Sequence, residues 1–190
     1  MDLPTVKLEI LEVLFLHEKP VKATIVAKEL GKEGKEARAV QTHLFGLVRA
    51  GLIESPEKGQ YIISQKGKKA LGLPEVTKEK AFEILTQTPR DKAFHFYAGI
   101  GKPLHVYAYD LSDFCNKLSA VDLNTVSFHM ERGDFEAWFK MLGDNELAKK
   151  AALLKSRKLS GEELRDTLHA LLGNRCIMLS EIAGQSVPSK

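Results

Sequence analysis

Between Lys35 and Ser64 the apolar pattern switches from helical spacing to strand spacing across a single glycine, and this switch constrains the fold more than any other feature of the chain. Val40, Leu44, Leu47 and Val48 fall on one face of a helix running from about Lys35 to Ala50. Gly51 follows where a helix commonly ends on a left-handed residue. Leu52-Ile53-Glu54-Ser55 and Gln60-Tyr61-Ile62-Ile63-Ser64 then read as two short strands joined by the turn Pro56-Glu57-Lys58-Gly59. Two such strands make too small a sheet to stand alone, so they must pack on the helices that precede them.

Those helices are legible upstream. Val6, Ile10, Val13 and Leu14 recur at helical spacing between Pro4 and His17. Pro20 blocks continuation, Val21-Lys22 reads as a short extended piece, and a second helix is expected from about Ala23 to Leu30 with Gly31 as its cap. On the third helix the side opposite the apolar face carries Lys35, Arg38, Ala39, Thr42, Gly46 and Arg49, with no carboxylate among them. A strip that is basic, polar or small suits an element lying against phosphates and base edges. Phe45 also falls towards this outer side, where it either packs under the hairpin or meets a partner.

Charge is distributed accordingly. The net charge is +3, and residues 1–74 hold 12 basic against 9 acidic side chains, whereas residues 75–190 hold 16 of each. Within Lys32–Lys69 the balance is 8 basic to 4 acidic. The positive excess therefore coincides with the third helix and the hairpin.

The run Thr42-His43-Leu44-x-x-Leu47-x-x-x-Gly51-Leu52-Ile53, followed by Tyr61-x-Ile63-Ser64-x-x-Gly67-x-x-x-Leu71, resembles the winged helix-turn-helix transcription regulators of bacteria and archaea. The resemblance covers about residues 4–73. It implies a third helix in the major groove of double-stranded DNA and a wing on the neighbouring backbone. The DNA-binding residues it implies are Lys35, Arg38, Thr42 and Arg49, with Gln41 on the flank, and Lys58, Gln60 and Lys66 from the wing region. A homodimer is expected, since one recognition helix reads too few base pairs for a specific site. The alternative is a winged-helix protein-protein interaction module, an adaptor without DNA binding.

Leu73 to Val76 reads as a linker, which divides the chain into a winged-helix domain (1–73), a C-terminal domain (77–175) serving dimerisation or sensing, and a tail (176–190). Thr77 caps a helix from Lys78 to Gln87. Ala93–Ala98 and Leu104–Tyr109 form a β-hairpin around Gly99-Ile100-Gly101-Lys102-Pro103. Helices are then expected from Asp110 or Ser112 to Leu118, Leu123 to Arg132, Asp134 to Leu142 and Asp144 to Leu154. A capping box Ser160-x-x-Glu163 opens a last helix ending at Leu172 before Gly173. Gly133 and Gly143 mark helix junctions, each followed by an Asp that caps its successor. The fold class is thus α+β, mostly α: a winged helix-turn-helix plus a C-terminal β-hairpin and helical bundle.

Phe128-His129-x-x-Arg132-Gly133-Asp134-Phe135-x-x-Trp138 and Leu142-Gly143-Asp144-x-Glu146-Leu147-Ala148 resemble a small archaeal and bacterial domain of unknown function, over about residues 80–175. The resemblance implies no activity. Along the hairpin His95, Tyr97, His105, Tyr107 and Tyr109 alternate with Phe94, Phe96, Leu104 and Val106, which gives an apolar face and a face of rings with polar tips. Two readings stay open for the second face. It is either the rim of a helix-covered sheet or a surface for a small-molecule effector or partner, built from His95, Tyr97, His105, Tyr107, Arg132, Asp134 and Trp138.

Several classes are disfavoured. Cys115 and Cys176 lack CxxC partners, so reduced, buried thiols are expected in place of a disulfide framework or thiolate metal site. His95, His105, His129 and His169 show no His-x-x-x-His spacing, and Gly99-x-Gly101 lacks the third glycine of a nucleotide loop. No metal, cofactor or catalytic residue is expected. Apolar stretches are broken well short of a bilayer span, and Met1-Asp2-Leu3-Pro4 does not open a secretory signal, so a cytoplasmic location with no membrane association is expected.

Overall fold

The computed structural model describes residues 3–185 and divides into two compact units, Met1–Glu75 and Val76–Lys190. In the first, α1 (Thr5–His17), β1 (Val21–Lys22), α2 (Ala23–Glu29), α3 (Gly34–Arg49), β2 (Ile53–Glu54), β3 (Gln60–Ile63) and α4 (Gln65–Ala70) follow one another. The sheet has the order β1-β3-β2 and is antiparallel, with Val21 opposite Tyr61 and Ile53 opposite Ile63. Ile10, Leu11 and Leu14 of α1, Val26 of α2, Val40, Leu44 and Leu47 of α3, and Ile53 and Tyr61 of the sheet make one core. Gly31 and Gly51 both adopt left-handed backbone, as the helix-stop reading requires.

Gly67 has a different role. A Cβ placed on it would lie 2.1 Å from the Leu52 carbonyl oxygen, so only glycine lets α4 close on the strand-entry loop. The Ser64 hydroxyl accepts from the Gly67 N–H and donates to the Gly51 carbonyl, pinning α4 to the end of α3.

The second unit comprises α5 (Lys78–Leu85), β4 (Phe94–Tyr97), β5 (Pro103–Ala108), α6 (Leu111–Ala120), α7 (Leu123–Arg132), α8 (Asp134–Leu142), α9 (Asn145–Ser156) and α10 (Gly161–Ala183). Helix α10 packs against α5, α6, α7 and α9, making it the axis of this unit. Phe94 and Phe96 of β4 meet Phe114, and these rings join Phe135, Trp138 and, through Phe114, Phe139 in an aromatic core, with rings edge-on or stacked at 4.8–5.6 Å.

Four local expectations are corrected. Helix α10 does not stop at Leu172 but runs through Gly173 to Ala183, so residues 176–183 are helix and not tail; residues 186–190 lie outside the described residues. Glycine inside a helix costs about 1 kcal/mol, and burial of Leu171, Leu172, Arg175, Leu179 and Ala183 outweighs it. Ser160 sits at the N-cap of α10 without a side-chain cap bond, so the capping box is not formed. Asp134 is the first residue of α8 and not its cap, which is Gly133 in left-handed backbone. The alternation along β5 breaks where the pairing passes from Phe96–Val106 to Tyr97–Pro103. This leaves Leu104 exposed and His105 at φ 56°, so Leu104 does not join the apolar face.

Candidate nucleic-acid interface and a pocket in the second unit

Helix α3 ends at a fixed point, and its outer face follows from that. Val40, Leu44 and Leu47 are buried, which turns Lys35, Arg38, Thr42 and Arg49 to solvent along one side. The guanidinium groups of Arg38 and Arg49 have no carboxylate partner among the described residues; Glu36 at the edge pairs instead with Lys32, at 3.7 Å. Lys58 is exposed in the turn between β2 and β3, a turn tied by the Ser55 hydroxyl donating to the Glu57 carbonyl at 3.0 Å.

The remaining polar residues expected on this surface are engaged within the fold. The Gln41 amide donates to the Tyr61 hydroxyl at 3.4 Å, linking α3 to β3. The Gln60 amide donates to the Glu57 carboxylate across the wing turn. Lys66 donates its ammonium to the Ala50 carbonyl at 2.7 Å, at the C-terminal end of α3 where the helix dipole favours a cation. Phe45 does not pack under the wing. It is 54% exposed in the middle of the outer face, one turn from both Gln41 and Arg49.

In the second unit a cavity of about 320 Å³ lies between the hairpin and the α7–α8 junction, lined by Phe94, Tyr97, Ile100, Phe128, Arg132 and Asp134 among others. A broader depression of about 480 Å³ shares Phe94, His95, Tyr97 and Asp134 and adds Trp138 and Met141. The structure thus brings Tyr97, His95, Arg132, Asp134 and Trp138 together. His105 and Tyr107 line neither cavity. The His105 ring lies 3.5 Å from the Tyr107 hydroxyl, and the Tyr107 ring carries the Arg90 guanidinium at 5.1 Å. His95 donates from Nε2 to the Arg90 carbonyl, 3.1 Å away.

His129 is a largely buried residue of this cavity's lining, and its protonation follows from its neighbours. The Tyr97 backbone N–H, released from the strand ladder at the irregularity, donates to His129 Nε2 at 2.9 Å. Nε2 must therefore carry a lone pair. Nδ1 holds the proton and donates it to Asp134 Oδ2 at 2.7 Å. Burial pushes the imidazole pKa below its ordinary value, outweighing the upward pull of Asp134. With both nitrogens engaged, the neutral ring is a strut between hairpin and helix junction. The motif residues around it share that work: Trp138 donates its indole N–H to the Lys92 carbonyl at 2.9 Å, and Gly133 turns the chain at φ 78°.

A charged cluster escaped the sequence reading. Arg175 of α10 is buried and donates Nε and Nη2 to the two Asp144 oxygens at 2.8 Å each, and Nη1 to Glu146 at 3.2 Å. Asp144 also caps α9 by accepting from the Leu147 N–H. Its adjacency to Gly143 and Glu146 was visible; the partner 31 residues on was not, because Arg175 lay beyond the supposed helix end. Burial holds both thiols towards the protonated form. Burial raises the pKa of Cys115 and pushes that of Cys176 up to about 12. Among the described residues no cluster of three or more His, Cys, Asp or Glu could hold a metal ion, and no helix is long and apolar enough to cross a membrane.

No curated protein and no solved structure matches the chain. The family model for the ribonuclease R winged-helix domain matches residues 8–71, a span running from within α1 to the end of α4. The matching family is named for a ribonuclease and not for transcription regulators, while the fold is the one the sequence motif implied. The first unit of this chain is a winged-helix domain.

Proposed function

We propose that this protein is a cytoplasmic, sequence-specific DNA-binding transcription regulator. Helix α3 lies in the major groove, the wing lies on the backbone, and the second unit serves homodimerisation or sensing without catalysis. The observation that carries the reading is the outer face of α3, where Lys35, Arg38 and Arg49 are exposed and the two arginines lack acidic partners among the described residues. A structural surface helix gains by pairing its charges locally; a helix that leaves them open retains them for phosphates and guanine edges.

The test is a mobility-shift titration of the intact chain on random-sequence duplex DNA at low salt, with Arg38→Glu and Arg49→Glu as variants. Binding that is lost in the double variant supports the reading. Unchanged binding, or none in the wild type, overturns it. Because the matching family is named for a ribonuclease, duplex RNA of the same sequence belongs in the titration, and a clear preference for it would redirect the proposal to RNA.

A second reading is favoured by Phe45, an exposed ring in the middle of the same face. Aromatic residues beside arginine are enriched at protein interfaces, so an adaptor role follows if nucleic-acid binding fails.

A further inference from the structure

The cavity beside the hairpin is walled by Phe94, Ile100 and Phe128 and by the polar side chains of His95, Tyr97, His129, Arg132 and Asp134, among which Arg132 is the permanent cation. Arg132 lies with its guanidinium 5.2 Å over the Phe128 ring, and its Nε donates to Asp134 at 3.1 and 3.4 Å. Ring and carboxylate together fix the plane of the group, yet its two terminal nitrogens have no partner among the described residues, and the side chain is 52% exposed. Two parallel N–H groups in a fixed plane form the fork that a carboxylate engages with both oxygens.

Asp134 takes hydrogen bonds from both His129 and Arg132, so most of its charge is spent inside the cluster. A single guanidinium beside one acid suits a monoanion better than a phosphate dianion. The Phe94, Tyr97 and Phe128 rings and Ile100 offer an apolar body its contacts, His95 and the neutral His129 complete the lining, and about 320 Å³ is room for one ring with its carboxylate.

The rim supplies a second, independent sign. Ile100 stands 83% exposed at the hairpin tip between Gly99 and Gly101, the latter in left-handed backbone at φ 70°. A branched apolar side chain between two flexible residues at the mouth of an apolar cavity gains by folding over an occupant.

We propose that this cavity binds a small monocarboxylate with a ring-sized apolar body, held by the Arg132 fork over Phe128 and covered by Ile100. The site belongs to the second unit alone and is independent of whether the first binds DNA.

Isothermal titration of the intact chain tests it with three probes: benzoate, its neutral isostere benzamide, and inorganic phosphate. Benzoate is expected to bind saturably in the micromolar to millimolar range, with benzamide and phosphate each weaker by about tenfold or more. Arg132→Gln removes the charged fork and should weaken benzoate by about tenfold or more, and Arg132→Lys, which keeps the charge without the fork, should fall between. Ile100→Ser should weaken benzoate by a few-fold, and because Ile100 is exposed this variant keeps its fold even if those at Arg132 do not. No saturable benzoate binding at millimolar concentration overturns the proposal. So does equal binding of benzoate and phosphate, or benzoate binding unaffected by all three variants.

Discussion

Replacing Arg175 by Met should unfold the second unit far more readily, because it strands the buried Asp144 carboxylate and takes one contact from the buried Glu146. Asp144 is fully buried and has three donors, of which Arg175 supplies two at 2.8 Å and Leu147 the third at 3.0 Å. Glu146 loses the third Arg175 contact, at 3.2 Å. Removing one partner of a buried ion pair costs about 3–5 kcal/mol, since the remaining charge keeps its desolvation penalty and loses its compensation. Trp138 is the chain's single tryptophan and lies in the second unit, so its fluorescence reports urea unfolding there. With a slope of about 2 kcal/mol per molar, the midpoint should fall by about 2 M. The triple change Arg175→Met, Asp144→Asn, Glu146→Gln removes both charges with the cation while Asn keeps the α9 cap, and should recover most of the loss. A single variant that costs less than about 1 kcal/mol, or a triple variant that is worse than the single, would refute the reasoning.

Three further outcomes are expected. Gly67→Ala should lower the thermal midpoint of the winged helix by the equivalent of about 3 kcal/mol or more, because the new methyl meets the Leu52 backbone at 2.1 Å; a wild-type melting curve would show that α4 can move aside. Lys66→Ala should cost about 1 kcal/mol through loss of the bond to the Ala50 carbonyl while reducing DNA affinity far less than Arg38→Ala does, as read by calorimetry and by anisotropy. His129 has a lowered folded pKa, so the unfolded chain binds the proton first: its contribution is intact above about pH 6.5 and is lost as pH falls below that value. The Trp138-detected stability should therefore decline on acidification, by at most about 1.4 kcal/mol per pH unit from this group, and His129→Gln should flatten the decline. An unchanged slope in that variant would remove His129 from the account.

The winged helix was readable because its signals are local and mutually consistent. Gly51 and Gly31 punctuate helices whose apolar faces have a clear period, and the turn at Pro56–Gly59 separates the short runs Leu52-Ile53 and Tyr61-Ile62-Ile63. Helices α7 and α8 were located to the residue for the same reason, with Gly133 and Gly143 at their ends. What the sequence concealed depends on contacts distant along the chain. Gly173 looks like a stop signal, and only the burial of Leu179, Ala183 and Arg175 beyond it carries the helix on. His129 was one of several scattered histidines until the strand irregularity offered it the Tyr97 N–H. On the α3 face the exposed positions followed from helical period, whereas the internal use of Gln41, Gln60 and Lys66 required knowing where Tyr61, Glu57 and Ala50 lie.

The central claim, that the α3 face meets a phosphate backbone, is tested most directly by the salt dependence of binding to duplex DNA. Each phosphate neutralised contributes about −0.9 to the slope of log K against log salt. If Lys35, Arg38, Arg49 and Lys58 each neutralise one, the wild-type slope should be about −3.6 per winged-helix unit and should shrink by about 1.8 in Arg38→Gln, Arg49→Gln. A slope near zero, or one that the double variant leaves unaltered, would contradict the account.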